Sequence, residues 1–349
     1  MKLGLNLGYW GMGNDADNLV LAREADRIGY DVVWAAEAYG SDAATVLSWI
    51  AAQTERIDVG SAVFQIPGRT PANCAMTAAT LDTLSGGRFR LGLGVSGPQV
   101  SEGWHGVRFD KPLGRTREYV EIVRKALRRE RLTYDGQFFT LPLPDGPGKA
   151  LTLTVHPARE TIPVYLAAVG PKNLELAGEI GDGWLAIFYA PEHAEESLQH
   201  IRAGRAKAGK EMAGFDVVPT VPVVVGDDLE ACALPVRAYA ALYVGGMGSR
   251  EQNFYNALAS RMGYEEAAGR VQDLYLARDY AGAAAAVPAE FIDRTSLIGP
   301  AERIRDRFHA FAESGVTTLT IATYAGSLED RISTLRTVAD ALEASGLAE

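Results

Sequence analysis

The stretch RFRLGLGVSG, Arg88 to Gly97, decides the fold. Its glycines at 92, 94 and 97 have the G-x-G-x-x-G spacing with which a strand-turn-helix unit seats a dinucleotide pyrophosphate. That chemistry needs the third glycine to open a helix, and an acidic residue about 20 positions on, at the end of the next strand, to hold a ribose. Neither is present. Pro98 to Glu102 offer at most a short turn, the next helical period starts near Gly114, and Glu118 and Glu121 lie inside it. The stretch is better explained as a strand apolar on both faces. Gly92 and Gly94 leave room for bulk from neighbouring strands, and Ser96-Gly97 falls at the C-terminal end.

Seven more stretches have the same character, at residues 2–9, 31–37, 57–64, 163–169, 183–188, 217–226 and 317–323. Between them run segments of helical period: DADNLVLAREADRIGY, capped by Asn14 and Asp15 and stopped by Gly29, and others at 42–54, 70–87, 114–127, 171–181 and 191–209. Pro tends to stand near the start of these segments and Gly near the end. Eight strands, mostly hydrophobic on both faces and each followed by a helix, predict a closed (β/α)8 TIM barrel over residues 1–349 as one domain. Two regions break the rhythm, about 133–162 and 227–298, and are expected as insertions.

Composition narrows the function. Of the 349 residues 47% are hydrophobic and 22% charged, which belongs to a globular chain with a large core. A net charge of −10 argues against a nucleic-acid partner, since the one dense basic run, Arg124 to Leu132, fits the solvated end of a helix. Cys74 and Cys232 stand far apart, with no metal-ligand spacing and no disulfide framework, so no metal site is expected and a reducing, cytoplasmic location is. No apolar run reaches membrane length, and the opening MKLGLNLGYW lacks the apolar core of a secretory signal.

Barrel enzymes build their sites at the C-terminal mouth. The strand ends here supply Tyr9 and Trp10, Glu37 to Tyr39, Ala62 to Gln65, Ser96 to Gln99, Ala168 to Pro171, and Phe188-Tyr189. This set is aromatic and small with few charges, which suits a flat, largely uncharged ring. AAVGPKN, Ala167 to Asn173, runs into a helix whose N-terminal N–H groups and Lys172 suit a phosphate or carboxylate; a plain strand-to-helix turn explains it equally well. Residues 243–264 offer either a substrate-facing wall, with Gly245, Gly246 and Gly248 permitting close approach and Arg250, Asn253 and Tyr255 as polar handles, or a helical insertion packed on the barrel. With only Arg250 and Arg261 there as cations, a neutral or apolar small-molecule substrate is expected.

Taken together, TLDTLSGGRFRLGLGVSG (80–97), LAREADRIGYDVVWAAEA (21–38), PVYLAAVGPKNLELAGEIGDGW (163–184) and IGPAERIRDRFHAFAESGVTTLTI (298–321) resemble the bacterial luciferase-like flavin and deazaflavin oxidoreductases, and within them the coenzyme F420-dependent branch. The resemblance covers nearly the whole chain. It implies a barrel with insertions, a homodimer, and F420, or alternatively FMN, at the mouth. It also implies a bulge with a non-prolyl cis peptide at the end of the third strand, matched here by Ala62-Val63. The cofactor-binding set it implies is Tyr9, Glu37, Ala62, Val63, Phe64, Ser96, Gly97, Ala168, Val169, Gly170 and Pro171.

Many relatives carry His after the acidic residue of the second strand end, where this chain has Ala38. The catalytic candidates are therefore Glu37, Tyr39 and His105. The expected activity is hydride transfer between C5 of the deazaflavin and a small organic substrate, with Arg69 and Lys172 available to the anionic tail of the cofactor. The alternatives are an FMN-dependent monooxygenase and a non-catalytic flavin- or deazaflavin-binding protein.

Overall fold

The computed structural model describes residues 1–10 and 15–349. Asn14 lies outside these residues, as does the side chain of Asp15, so neither proposed cap is assigned.

Eight parallel strands close into a barrel: β1 (Lys2–Asn6), β2 (Val32–Ala35), β3 (Asp58–Ser61), β4 (Phe89–Gly94), β5 (Val164–Ala167), β6 (Gly183–Ile187), β7 (Asp216–Val225) and β8 (Thr318–Thr323). Each pairs with the next, and β8 returns to β1 with Leu3 opposite Leu319. These are the eight stretches read from the sequence, trimmed at one or both ends, except that β7 starts one residue earlier, at Asp216. A short strand, Leu297–Gly299, was not expected; it pairs outside the ring with β7 through Val223 opposite Leu297.

Helices cover the outside: α1 (Asp15–Ile28), α2 (Ala43–Ala51), α3 (Pro71–Leu84), α4 (Pro112–Leu127), α5 (Pro171–Ile180), α6 (Ala194–Lys207), α7 (Ala301–Glu313) and α8 (Leu328–Ser345). Local chemistry starts several of them. Asp42, Thr70 and Ser327 accept N–H groups of the first turns of α2, α3 and α8, and α3, α4 and α5 carry Pro in the first turn, where its missing N–H costs nothing. The main core fills the layer between strands and helices.

A second cluster, Val32, Trp34, Tyr165, Leu185 and Val218, fills the barrel itself, with Trp34 edge-on to Tyr165 at 5.4 Å. Its lower end is closed by Arg90, which bonds Asp58 at 2.7 Å and Asp216 at 3.3 Å, with the Tyr165 hydroxyl on Asp216 at 3.0 Å. The barrel floor is therefore filled by side chains.

Residues 134–141 form a small hairpin, Tyr134–Asp135 with Thr140–Leu141. Residues 229–294 are a run of helices with their own apolar cluster around Phe188, Val236, Val271 and Phe291. Both cysteines are buried, and burial pushes the Cys74 thiol up to about 11 and raises that of Cys232. Because the thiolate is the reactive species, neither is expected to react with Ellman's reagent at pH 8 until the protein unfolds; a rapid reaction of the folded protein would contradict this placement. Among the described residues no helix is long and apolar enough to cross a membrane, and no group of three or more His, Cys, Asp and Glu could hold a metal ion.

Candidate active site

The mouth takes its shape from a bulge between β3 and β4. The two pair in register through Val59–Phe89 and Gly60–Arg90, and pairing resumes at Phe64–Leu93 and Gln65–Gly94. One more residue is thus spent on the β3 side, the signature of a β-bulge. At the gap the Ser61 hydroxyl replaces the ladder, accepting from the Gly92 N–H at 2.9 Å and donating to its carbonyl at 2.8 Å. The Ala62–Val63 peptide is cis, at the position the family resemblance implies. Both side chains rest on the interior cluster and stay partly open toward the mouth. Gly92 and Gly94 make this possible. A Cβ on Gly92 would overlap the Ser61 carbonyl oxygen, and one on Gly94 would meet Val63 Cγ2 at 2.5 Å.

Glu37 holds the bulge from outside. Its side chain is 8% exposed, and its two oxygens accept from the Gln65 N–H (3.0 Å), the Ala43 N–H (3.1 Å) and the Arg69 guanidinium. Arg69 also pairs with Asp42 and lies over the Phe64 ring at 4.3 Å. Burial alone would lower the pKa of Arg69; the hydrogen bond and charge of Glu37, with Asp42, outweigh it and raise the pKa. From the anchored Gln65 backbone, its side chain crosses the mouth, donating to Ser96 Oγ at 3.0 Å and meeting His105 Nε2 at 2.9 Å. With the amide so oriented, the His105 proton sits on Nε2.

Several expectations change here. Glu37 is already fully bonded and acts on the bulge, so it is not free to move a proton. Arg69 is consumed by Glu37 and Asp42, so it is not available to a cofactor tail. Tyr39 is 70% exposed and does not join the mouth cluster. His105 reaches the mouth only through Gln65, a bridge that no local pattern in the sequence announces. Tyr9, Ala62, Val63, Ser96 and Gly97 do stand around the mouth, while Phe64 is buried beneath Arg69. Ser96 (φ 61°) and Phe188 (φ 53°) are non-glycine residues held in the left-handed region at the ends of β4 and β6, an arrangement that accumulates at functional sites.

Past β5, Ala168 is buried and its carbonyl accepts from Trp184 Nε1 at 2.9 Å. Val169, Gly170 and Pro171 then turn into α5, and a Cβ on Gly170 would meet nothing within 4 Å. Arg261 reaches over from the insertion to the Val169 carbonyl (3.3 Å) while pairing with Glu196 (3.5 Å). Beside this turn is a small side depression bounded by Trp184, Phe188, His193, Arg261 and Met262.

The polar handles read in 243–264 are mostly structural. Asn253 is buried, caps the helix Phe254–Ala259 and donates to the Tyr243 and Val244 carbonyls, both at 3.0 Å. Arg250 forms a surface pair with Asp273, and Gly245 and Gly246 give way to Tyr275 of the same insertion, not to a substrate. Tyr255 packs edge-on to Phe188 and Tyr243, next to Tyr239 and Tyr324.

A family model described as luciferase-like monooxygenase matches residues 11–318. The chain belongs to this family. It is 44% identical, over 94% of its length and 96% of the relative's, to a Mycobacterium tuberculosis protein whose name assigns it to the coenzyme F420-dependent oxidoreductases. It is 31% identical, over 84% of its length and 85% of the relative's, to the 5,10-methylenetetrahydromethanopterin reductase of Archaeoglobus fulgidus. The solved coenzyme F420-dependent tetrahydromethanopterin reductase of Methanopyrus kandleri shares the fold, with a TM-score of 0.83 over 98% of both chains at 22% identity.

Proposed function

We propose that this luciferase-like barrel is a coenzyme F420-dependent oxidoreductase that transfers a hydride between C5 of the deazaflavin and a small organic substrate. The observation that carries this is the bulge at the end of β3, a platform of small side chains at the mouth of a barrel whose 44% identical relative bears that cofactor in its name. The residues fit a flat ring with an anionic tail. Ala62 and Val63 offer the platform, Ser96 and Gly97 its edge, and the turn Ala168 to Pro171 lies where a Cβ on Gly170 would find open space. The Lys172 N–H in the first turn of α5, with the exposed Lys172 side chain beside it and the positive end of the helix dipole, favours negative charge at that turn. When bound, F420 supplies a two-electron hydride carrier; the protein orients it and keeps water from one face.

Titrating the protein into F420 and into FMN, followed by fluorescence quenching, tests the assignment. Saturable quenching of F420 at micromolar concentration with weak FMN binding is expected. Tight FMN binding without F420 binding, together with oxygen consumption by reduced FMN, would instead make it a flavin monooxygenase. The same preparation tests two further parts of the proposal by size measurement, namely a single folded unit and a homodimer.

A further inference from the structure

The mouth has two unlike walls. Over β2 to β4 stand the bulge and the Glu37, Gln65, Ser96 and His105 hydrogen bonds. Over β6 to β1 stand aromatic rings from four separate places in the chain: Tyr9 after β1, Phe188 after β6, Tyr239, Tyr243 and Tyr255 from the insertion, and Tyr324 after β8. Their centroids lie close, with Phe188–Tyr239 at 5.2 Å, Tyr239–Tyr243 and Tyr243–Tyr255 at 4.9 Å, and Tyr239–Tyr324 at 5.8 Å. The four tyrosines of the insertion and β8 keep part of their surface open, yet desolvation by surrounding atoms raises all four phenol pKa values. The rings pack on the apolar cluster of the insertion and leave part of their edges open, forming an aromatic face, and at neutral pH each hydroxyl keeps its proton.

Tyr243 is held with particular care. It lies in a π-helical turn, Leu242–Gly246, a geometry that is rare and concentrates at functional sites. The carbonyls that the turn frees are taken up by Asn253 on Tyr243 and Val244, and by Asn256 on Val244 at 3.2 Å. Its hydroxyl faces that of Tyr9, which is 39% exposed and so in touch with solvent.

Resting on the hydride-transfer reading above, we propose that this wall binds a flat, uncharged substrate with a conjugated carbonyl, and that Tyr243, backed by Tyr9, donates the proton that completes its reduction. Of the other proton-bearing candidates, Glu37 is saturated by Arg69 and two N–H groups, Tyr39 stands in solvent, and His105 has its Nε2 on Gln65. The nearby cations Arg250 and Arg261 are already paired. A charged substrate would lose its hydration against the phenols without meeting an opposite charge. In the reducing direction the hydride forms a C–H bond at the β-carbon and the C=C pair shifts to the carbonyl oxygen. Tyr243 protonates that oxygen, the enol relaxes to the saturated ketone, and Tyr9 returns a proton from solvent. The reduced deazaflavin is oxidised by two electrons.

Benzylideneacetone, a neutral planar enone, and cinnamate, its anionic near-isostere, test this by calorimetry on the protein alone and on the F420-loaded protein. The enone is expected to bind at least about 10-fold more tightly, and Tyr239→Ala to lose about 10-fold of enone affinity while still quenching F420. Tyr243→Phe is expected to keep enone affinity and F420 quenching within about twofold, with KM unchanged and kcat for enone reduction down about 100-fold. Cinnamate binding as tightly as the enone, no enone turnover by the loaded wild type, or wild-type kcat in Tyr243→Phe would each overturn the proposal. Absence of F420 quenching would overturn the hydride reading instead, with the enone preference of the protein alone still measurable.

Discussion

Gly92→Ala is expected to cost about 3 kcal/mol or more, at the top of the range for overpacking, because the colliding atom is backbone. The added methyl would overlap the Ser61 carbonyl oxygen and approach Leu185 Cδ1 at 2.8 Å. Ser61 cannot step aside, since its hydroxyl is bonded to both the N–H and the carbonyl of Gly92. At about 2.1 cal/mol/K of unfolding entropy per residue, such a loss lowers the thermal midpoint by about 4 °C, measurable by calorimetry together with poor soluble yield. Gly94→Ala makes a contrasting control. There the new methyl meets the Val63 side chain, which can turn away, so about 1 kcal/mol of stability is expected to go. Val63 would be displaced from the bulge surface, and F420 quenching should weaken about 10-fold. A Gly92→Ala protein as stable as the parent would show that the bulge does not depend on this close approach.

Arg69→Met is expected to be the second large effect. It strands the Glu37 carboxylate, 8% exposed, with two backbone N–H donors and no cation, a situation that typically costs about 3 kcal/mol. Adding Glu37→Gln removes the stranded charge while the amide oxygen can still accept from one of the two N–H groups, that of Gln65 or that of Ala43. The double variant is therefore expected to be more stable than Arg69→Met alone, a coupling that denaturant titration of the four proteins would measure. F420 quenching should weaken in both, because without Arg69 the side chain at position 37 is no longer clamped, and the Gln65 backbone it holds is less firmly fixed for reaching Ser96 and His105. If Arg69→Met were neutral in both stability and binding, Glu37 would not be the anchor of the bulge.

The barrel was legible because its signals are local. A strand buried on both faces is a short apolar run, a covering helix repeats every 3.6 residues, and Pro and Gly mark the ends; all of these can be counted along the chain. The glycines of LGLGVSG were legible as small residues at a mouth, but not what fills the space they leave. That turned out to be the Ser61 carbonyl and Val63, about 30 residues away and brought there by one extra residue in the bulge that follows β3. Likewise Asn253 carries the residue type of a ligand contact, and only its two bonds to backbone carbonyls show that it clamps Tyr243.

The amino-acid sequence by itself determined the eight-fold alternation of strand and helix, the family, and which strand ends meet at the mouth, since each follows from periodicity and short motifs. Tertiary structure alone decided that Glu37 spends its charge on Arg69, that Gln65 joins Ser96 to His105, and that tyrosines from β1, the insertion and β8 form one wall. Those pairings depend on where barrel closure places residues up to some 300 positions apart, and closure is a property of the whole ring of strands that no single stretch encodes.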